Sequence, residues 1–69
     1  MEIQLQTDFI QLGQLLKLTD HISSGGEAKF FLQGTSVYVN GEHETKRGRK
    51  LYVGDIVEID GHKYTLVNT

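Results

Sequence analysis

Four cations stand within five residues of this sequence, and Gly48 divides them in the run KRGRK: Lys46, Arg47, Arg49 and Lys50. Such side chains bind phosphate, because neutralising a nucleic-acid backbone releases condensed counterions and arginine offers a planar, bidentate fork. A glycine at the centre lets the backbone turn and approach a ligand closely. A solvated basic loop without a ligand is also a common use of such a run. Charge alone therefore leaves both interpretations open.

A second candidate anion site is the stretch SSGGE, where Gly25 and Gly26 follow Ser24. The start of a helix offers free amides and a partial positive charge, and glycines would let a phosphate reach them. Ser24 with Glu27 three residues later also predicts a capping box, in which the two residues satisfy backbone amides. Capping is the favoured role of Ser24, and the two roles are compatible. Polar residues that could flank the same surface are Lys17, Lys29 and Gln33.

Other kinds of site find little support in the sequence. His21, His43 and His62 are scattered without ligand spacing, and there is no cysteine, so we expect neither a metal nor a cofactor. Glu42 and Glu44 share a face of a predicted strand and are best explained as surface charge. No nucleophile with a neighbouring base and no phosphate-cradling glycine motif is present. We therefore expect no enzyme and no small-molecule substrate.

The whole chain has 69 residues with a net charge of −2, which predicts a single domain over residues 1–69. The N-terminus lacks the basic and apolar regions of a signal peptide, and no apolar run approaches the ~20 residues that span a bilayer. These features predict a soluble cytoplasmic protein without a membrane partner. Because the net charge is negative, a case for nucleic acid must rest on where the cations lie.

The N-terminal half predicts a strand and two short helices. Residues 2–9 alternate, with Ile3, Leu5, Thr7 and Phe9 on one face, which is the period of a half-buried strand. Apolar residues at helical spacing then predict helices over residues 11–19 and 25–33, with Gly34 as a left-handed end to the second. These helices should contribute six residues to the core: Leu12, Leu15, Leu16, Ala28, Phe31 and Leu32.

The C-terminal half predicts strands joined by tight turns. Asn40 and Gly41 form the strongest hairpin signal, since both accept a positive φ. Further turns are expected at Gly54 with Asp55 and at Asp60 with Gly61, around the strand IVEI. Four strand residues should face the helices: Val37, Val39, Val57 and Ile59. The predicted class is α+β, with two packed helices followed by a small antiparallel sheet.

Several ordered segments of residues 9–59 resemble the S4 RNA-binding domain, the alpha-L motif named after a protein of the small ribosomal subunit. In order, they are LLK, SSGGEAKFFLQG, SVYVNG, KRGRK and GDIVEI. Residues 1–8 and 60–69 would then be added strands. The chain is most similar to stand-alone bacterial S4-like proteins. The resemblance implies binding of structured, ribosomal or ribosome-associated RNA without catalysis.

That resemblance implies an RNA-binding surface made from the basic run and the two helices, with the acidic residues on the opposite face. The residues concerned are Lys17, Ser24, Gly25, Lys29, Gln33, Lys46, Arg47, Arg49 and Lys50. Many S4 domains carry an arginine just after the serine that opens the second helix, where this chain has Gly25. The helix side of the surface is therefore sparse. The alternative is a protein-interaction module that docks an acidic partner or pairs through its sheet edge.

Overall fold

The computed structural model describes residues 1–68 as an α+β structure in which two short helices lie against strands. The helices are α1 (Leu12–Leu18) and α2 (Ala28–Gly34), and a 3₁₀ turn over Gly25–Glu27 precedes the second. The strands are β1 (Glu2–Leu5), β2 (Phe9–Gln11), β3 (Val37–Val39), β4 (Glu42–His43), β5 (Lys50–Tyr52), β6 (Ile56–Ile59) and β7 (His62–Asn68).

The strands form two sheets rather than one antiparallel sheet. The larger has the order β1-β7-β6-β3-β4, and its β1–β7 pair is parallel, so the sheet is mixed. The smaller consists of β2 and β5, which pair antiparallel. The single strand predicted over residues 2–9 is wrong, because the chain bends at residues 6–8 and the Thr7 hydroxyl donates to the Phe9 carbonyl at 2.7 Å. The alternating pattern thus spans two strands that belong to different sheets.

The predicted turns of the C-terminal half are confirmed. Asn40 and Gly41 have φ values of 52° and 85°, and Asp60 and Gly61 have 50° and 85°. Gly54 adopts φ 96° between β5 and β6. Asparagine, aspartate and glycine tolerate this left-handed region better than other residues, which is why these sequence pairs mark hairpins reliably.

The second helix starts later and ends differently from the prediction. Because residues 25–27 coil into a 3₁₀ turn, Glu27 stands at the N-cap of α2 instead of its third position. The predicted capping box is wrong: Ser24 forms no side-chain cap, and Glu27 Oε1 accepts from the Ser23 amide at 3.3 Å. Gly34 belongs to the helix itself and has no positive φ, so its predicted role as a left-handed end is also wrong.

The first helix matches its predicted position. It ends in a motif that was not predicted. The Asp20 amide donates to the Lys17 carbonyl at 3.2 Å, and the His21 amide donates to the Leu16 carbonyl at 2.9 Å. Asp20 itself has φ 62°. This pair of bonds is the Schellman motif, with aspartate in the place that glycine usually takes. It directs the chain after α1 back toward β7.

One hydrophobic core joins the helices to both sheets. Nine of the ten predicted core residues are buried, while Phe31 is half-buried against the cluster. Five further side chains complete it: Leu5, Ile22, Leu51, Tyr64 and Leu66. No helix within residues 1–68 is long and apolar enough to cross a membrane. The buried leucines of α1 anchor that helix in the core. The start of α1 can therefore hold an attached loop in a fixed position.

Candidate nucleic-acid interface

The basic loop, residues 46–50, is attached to the start of α1 by its own backbone. The Leu12 amide donates to the Arg49 carbonyl at 2.8 Å, and the Gly13 amide donates to the Arg47 carbonyl at 2.9 Å. These amides belong to the first turn of the helix, where no intrahelical carbonyl is available to them. The loop therefore satisfies the helix start, and the helix start in turn fixes the path of the loop.

A carboxylate just before the loop, that of Glu44, holds the loop's shape. Glu44 Oε1 accepts from the Thr45 and Lys46 amides at 3.1 and 3.0 Å, and Oε2 accepts from the Arg49 guanidinium at 2.8 Å. Burial by itself would raise the pKa of Glu44, but the bonds from Arg49 and from the two amides outweigh it and lower that pKa below its ordinary value. The Arg49 amide closes a turn by donating to the Lys46 carbonyl at 3.2 Å.

This carboxylate corrects two expectations about acidic residues. Strand β4 ends at His43, so Glu44 lies beyond the strand and does not share a strand face with Glu42. Nor do the acidic residues all lie away from the cations, because Glu44 forms an ion pair with Arg49. Arg49 is thus partly engaged by Glu44.

A shallow groove of about 470 Å³ lies between the loop and α1. It brings together three residues that the sequence had placed in the candidate site, Lys17, Gly25 and Arg47. Lys17 stands in the last turn of α1, Arg47 at the tip of the loop, and Gly25 in the 3₁₀ turn. The complete lining is Gln11, Gly13, Gln14, Lys17, Gly25, Arg47 and Gly48. Two cations and two side-chain amides on one groove suit an anionic ligand.

The other candidate residues lie outside this groove. Lys46 is exposed in the loop, and Lys50 stands on β5 with its ammonium 4.9 Å from the centre of the Phe9 ring. Lys29 and Gln33 are exposed on α2, four residues apart and therefore on one face of that helix. Ser24 is exposed ahead of the 3₁₀ turn. Arg49, bonded to Glu44, also lies outside the groove lining, so the nine predicted residues divide into a groove set of three and a peripheral set of six.

The turns that flank the basic run are tied to each other. The Asn40 side-chain amide donates to Asp55 Oδ1 at 3.0 Å, while its Oδ1 accepts from the Ile56 amide at 2.9 Å. Asp55 Oδ2 accepts from the Tyr52 amide at 2.8 Å. The asparagine and aspartate of the NG and GD motifs thus connect the end of β3 to the turn between β5 and β6. Their spacing in sequence predicted two turns but not this connection.

The histidines are less scattered than their spacing suggested. His21 Nε2 lies 3.1 Å from the Tyr64 hydroxyl, and its ring centre lies 6.1 Å from that of His62 and 5.6 Å from that of Phe31. The Schellman turn after α1 brings His21 to this position. Within residues 1–68 there is no group of three or more histidine, cysteine or carboxylate side chains placed to hold a metal ion.

The edges of the larger sheet bear on the protein-interaction alternative. They are β1, with four residues, and β4, with only two. A short edge strand offers few backbone groups to an added strand. An added strand would therefore find few backbone groups to pair with at the β4 edge.

Comparisons with known proteins identify the family of the chain. The family model described as "S4 domain" matches residues 3–67, from β1 to β7. The chain is also 59% identical over 59 residues to the "Probable ribosome maturation protein RlbA" of Bacillus subtilis (strain 168), a match that covers 86% of this chain and 83% of that protein. The match spans nearly the whole length, so the resemblance seen in residues 9–59 extends into both terminal strands. The chain belongs to the S4 domain family.

Proposed function

We propose that this protein binds folded RNA, in particular ribosomal RNA in a particle under maturation, and that it performs no reaction of its own. Membership of the S4 domain family and the name of the Bacillus subtilis relative support a role with RNA and ribosomes. The proposal places the protein in the cytoplasm with ribosomal particles. Its RNA partner would be recognised through phosphate and shape.

The observation that carries the proposal is the attachment of the basic loop to α1. The bonds from the Leu12 and Gly13 amides to the loop carbonyls fix Arg47 on the same groove as Lys17. A phosphate backbone that crosses the groove would meet cations carried on a backbone whose path is set before binding. Preorganised groups lose less conformational freedom on binding, so they contribute more to affinity. This arrangement lets a chain of net charge −2 attract a polyanion locally.

The structure of helical RNA, as well as the cations of the groove, favours recognition through phosphates and shape. Helical RNA hides its base edges in a deep, narrow major groove and exposes phosphates and 2′-hydroxyls. The cations of the groove and loop suit the phosphates, which set position and affinity but carry no sequence information. We therefore expect discrimination by shape, with little dependence on the order of the bases.

A salt titration tests this function. Binding of two RNA hairpins with the same shape and different stem sequences is measured by fluorescence anisotropy over a range of KCl concentrations. We expect the logarithm of the affinity to fall linearly with the logarithm of salt, with a slope of several units, because about four phosphate contacts release counterions. The two hairpins should differ by less than about tenfold in affinity. A salt-insensitive complex, or strong preference for one sequence, would contradict the proposal.

A further inference from the structure

The small sheet of β2 and β5 has an outer face whose aromatic side chains do not line the groove. Its register pairs Phe9 with Tyr52, Ile10 with Leu51 and Gln11 with Lys50. Side chains alternate across a strand, so the middle pair faces the opposite way from the other two. Leu51 is fully buried and Ile10 is packed against the core. The outer pairs, Phe9 with Tyr52 and Gln11 with Lys50, therefore face outward.

Two aromatic rings and a cation meet on that outer face. The ring centres of Phe9 and Tyr52 lie 5.9 Å apart with a tilt of 49°, and the Lys50 ammonium lies 4.9 Å from the Phe9 centre. Tyr52 remains 48% exposed. The bond from its amide to Asp55 fixes the backbone from which the ring projects. The exposed Tyr52 ring therefore projects from a fixed strand with the Lys50 ammonium nearby. Together they form an aromatic platform next to a positive charge.

This platform adjoins the groove described above. Gln11 lines the groove together with Arg47, and it also lines the neighbouring cavity together with Phe9. Strand β2 thus leads from the cations of the groove to the aromatic rings. Asp8 lines the same neighbouring cavity, and its carboxylate disfavours a phosphate there. A nucleic-acid backbone that leaves the groove is therefore better placed on the Lys50 side of the rings.

We propose that the outer face of the small sheet stacks the base of one unpaired nucleotide that flanks the RNA helix held in the groove. The base lies on the ring of Tyr52, and the ammonium of Lys50 contacts the phosphate of that nucleotide. The inference rests on the proposed function and adds to it a preference for a junction between paired and unpaired RNA. Every base has an aromatic face, so stacking adds affinity without adding sequence preference.

The test compares two forms of one RNA duplex, a blunt form and a form with a single 3′ or 5′ unpaired 2-aminopurine. Anisotropy of an end-labelled strand gives affinity, and quenching of the 2-aminopurine reports stacking. We expect the overhang to raise the affinity about fivefold or more and its fluorescence to fall on binding. Tyr52→Leu should abolish both effects while leaving the affinity for the blunt duplex unchanged, and Tyr52→Phe should keep both.

Tyr38→Leu is the matched control, since Tyr38 lies on the other sheet with its ring against His43 and should not alter either signal. Thermal melts of the three variants establish that each is folded. Equal affinity of the parent for blunt and overhanging duplexes, or quenching that survives Tyr52→Leu, overturns the stacking proposal and leaves the proposed function standing. Absence of binding to both forms rejects the proposed function, and the stacking proposal with it.

Discussion

The basic loop and the opening of the second helix both looked like phosphate sites, but the structure holds them in different ways. The loop is attached through the Arg47 and Arg49 carbonyls to the first amides of α1 and is braced by Glu44, which lies just before it. The opening of the second helix, residues 24–27, is exposed throughout, and Ser24 forms no cap. The two places are therefore not equivalent, because the loop carries cations on a backbone that is bonded to α1, whereas residues 24–27 contain no cation.

The comparison shows that α1 is the element on which both the loop and the groove edge at the helix opening depend. Its buried leucines anchor it in the core, its first turn carries the loop, and its last turn carries Lys17. The 3₁₀ turn touches the groove through Gly25 alone. A change in α1 should thus affect both regions, whereas a change at the helix opening should affect only one edge of the groove. Substitutions in α1, in the loop and at the helix opening separate these cases.

Loss of core packing in α1 should reduce the stability of the protein more than any change in the loop or at the helix opening. Leu16 is fully buried, and Leu16→Ala removes packing at a cost of about 2–5 kcal/mol. Native domains have only about 5–15 kcal/mol of stability, so we expect a large fall in melting temperature and loss of both regions. The matched control is Leu18→Ala on the same helix, where the side chain is 64% exposed and little should change. Equal melting temperatures for the two variants would contradict the core described here.

Removal of the loop cations should leave the fold and abolish most RNA binding. In the triple variant Arg47→Ala, Arg49→Ala and Lys50→Ala, the backbone carbonyls that bind α1 remain, and Glu44 keeps its two backbone donors although it loses its bond from Arg49. We expect a melting temperature close to that of the parent and a salt slope smaller by about two to three units. Circular dichroism and anisotropy measure the two quantities.

Two double variants of equal net charge show whether position matters. Arg47→Ala with Lys50→Ala spares the ion pair between Arg49 and Glu44. Lys29→Ala with Lys63→Ala removes two cations from α2 and β7 instead. We expect the first double variant to lose much more affinity than the second. Similar losses would mean that net charge, and not the attachment of the loop, determines binding.

How far sequence predicts this molecule depends on the range of the interactions involved. The turns at Asn40 and Asp60 and the spacing of the α1 leucines are local, and they were predicted correctly. The break at residues 6–8 was missed because the alternation of Ile3 and Leu5 continues into β2 without interruption. The parallel pairing of β1 with β7 was missed because it joins the two ends of the chain.

In the candidate site, too, local features were predicted from the sequence and long-range contacts were not. Its charged residues were identified from composition and from the family pattern, but the backbone bonds from α1 to the loop connect residues more than thirty positions apart. Nothing in the order of residues 44–49 shows that Glu44 binds Arg49 instead of facing solvent. The aromatic face of Phe9 and Tyr52 likewise depends on a strand register that sequence patterns do not determine.

A carboxylate at the helix opening tests whether that region contacts RNA at all. Gly25 lines the groove and Gly26 does not, and neither has a positive φ. An added Cβ meets no atom within 4 Å at Gly25 and only the Ser24 hydroxyl at 4.0 Å at Gly26. Gly25→Asp and Gly26→Asp should both fold, since a helix N-terminus favours negative charge. We expect weaker RNA binding for Gly25→Asp only. Equal affinities would show that the opening serves as a turn and that the loop acts alone.

The smallest effect concerns the carboxylate that distinguishes the loop from the helix opening. Because the pKa of Glu44 is lowered in the folded protein, its contribution to loop order is complete above the ordinary value of 4.5 and is lost as pH falls through the folded pKa. The amide resonances of Thr45 and Lys46, which donate to Glu44, should therefore shift together below pH 4.5. Glu44→Gln should remove this titration at all pH values, while Glu42→Gln, at an exposed site on β4, should retain it. A midpoint at or above the ordinary value would mean that Arg49 does not engage Glu44 in solution. The loop would then keep its backbone bonds to α1 but lack the ion pair, and its difference from the helix opening would be correspondingly smaller.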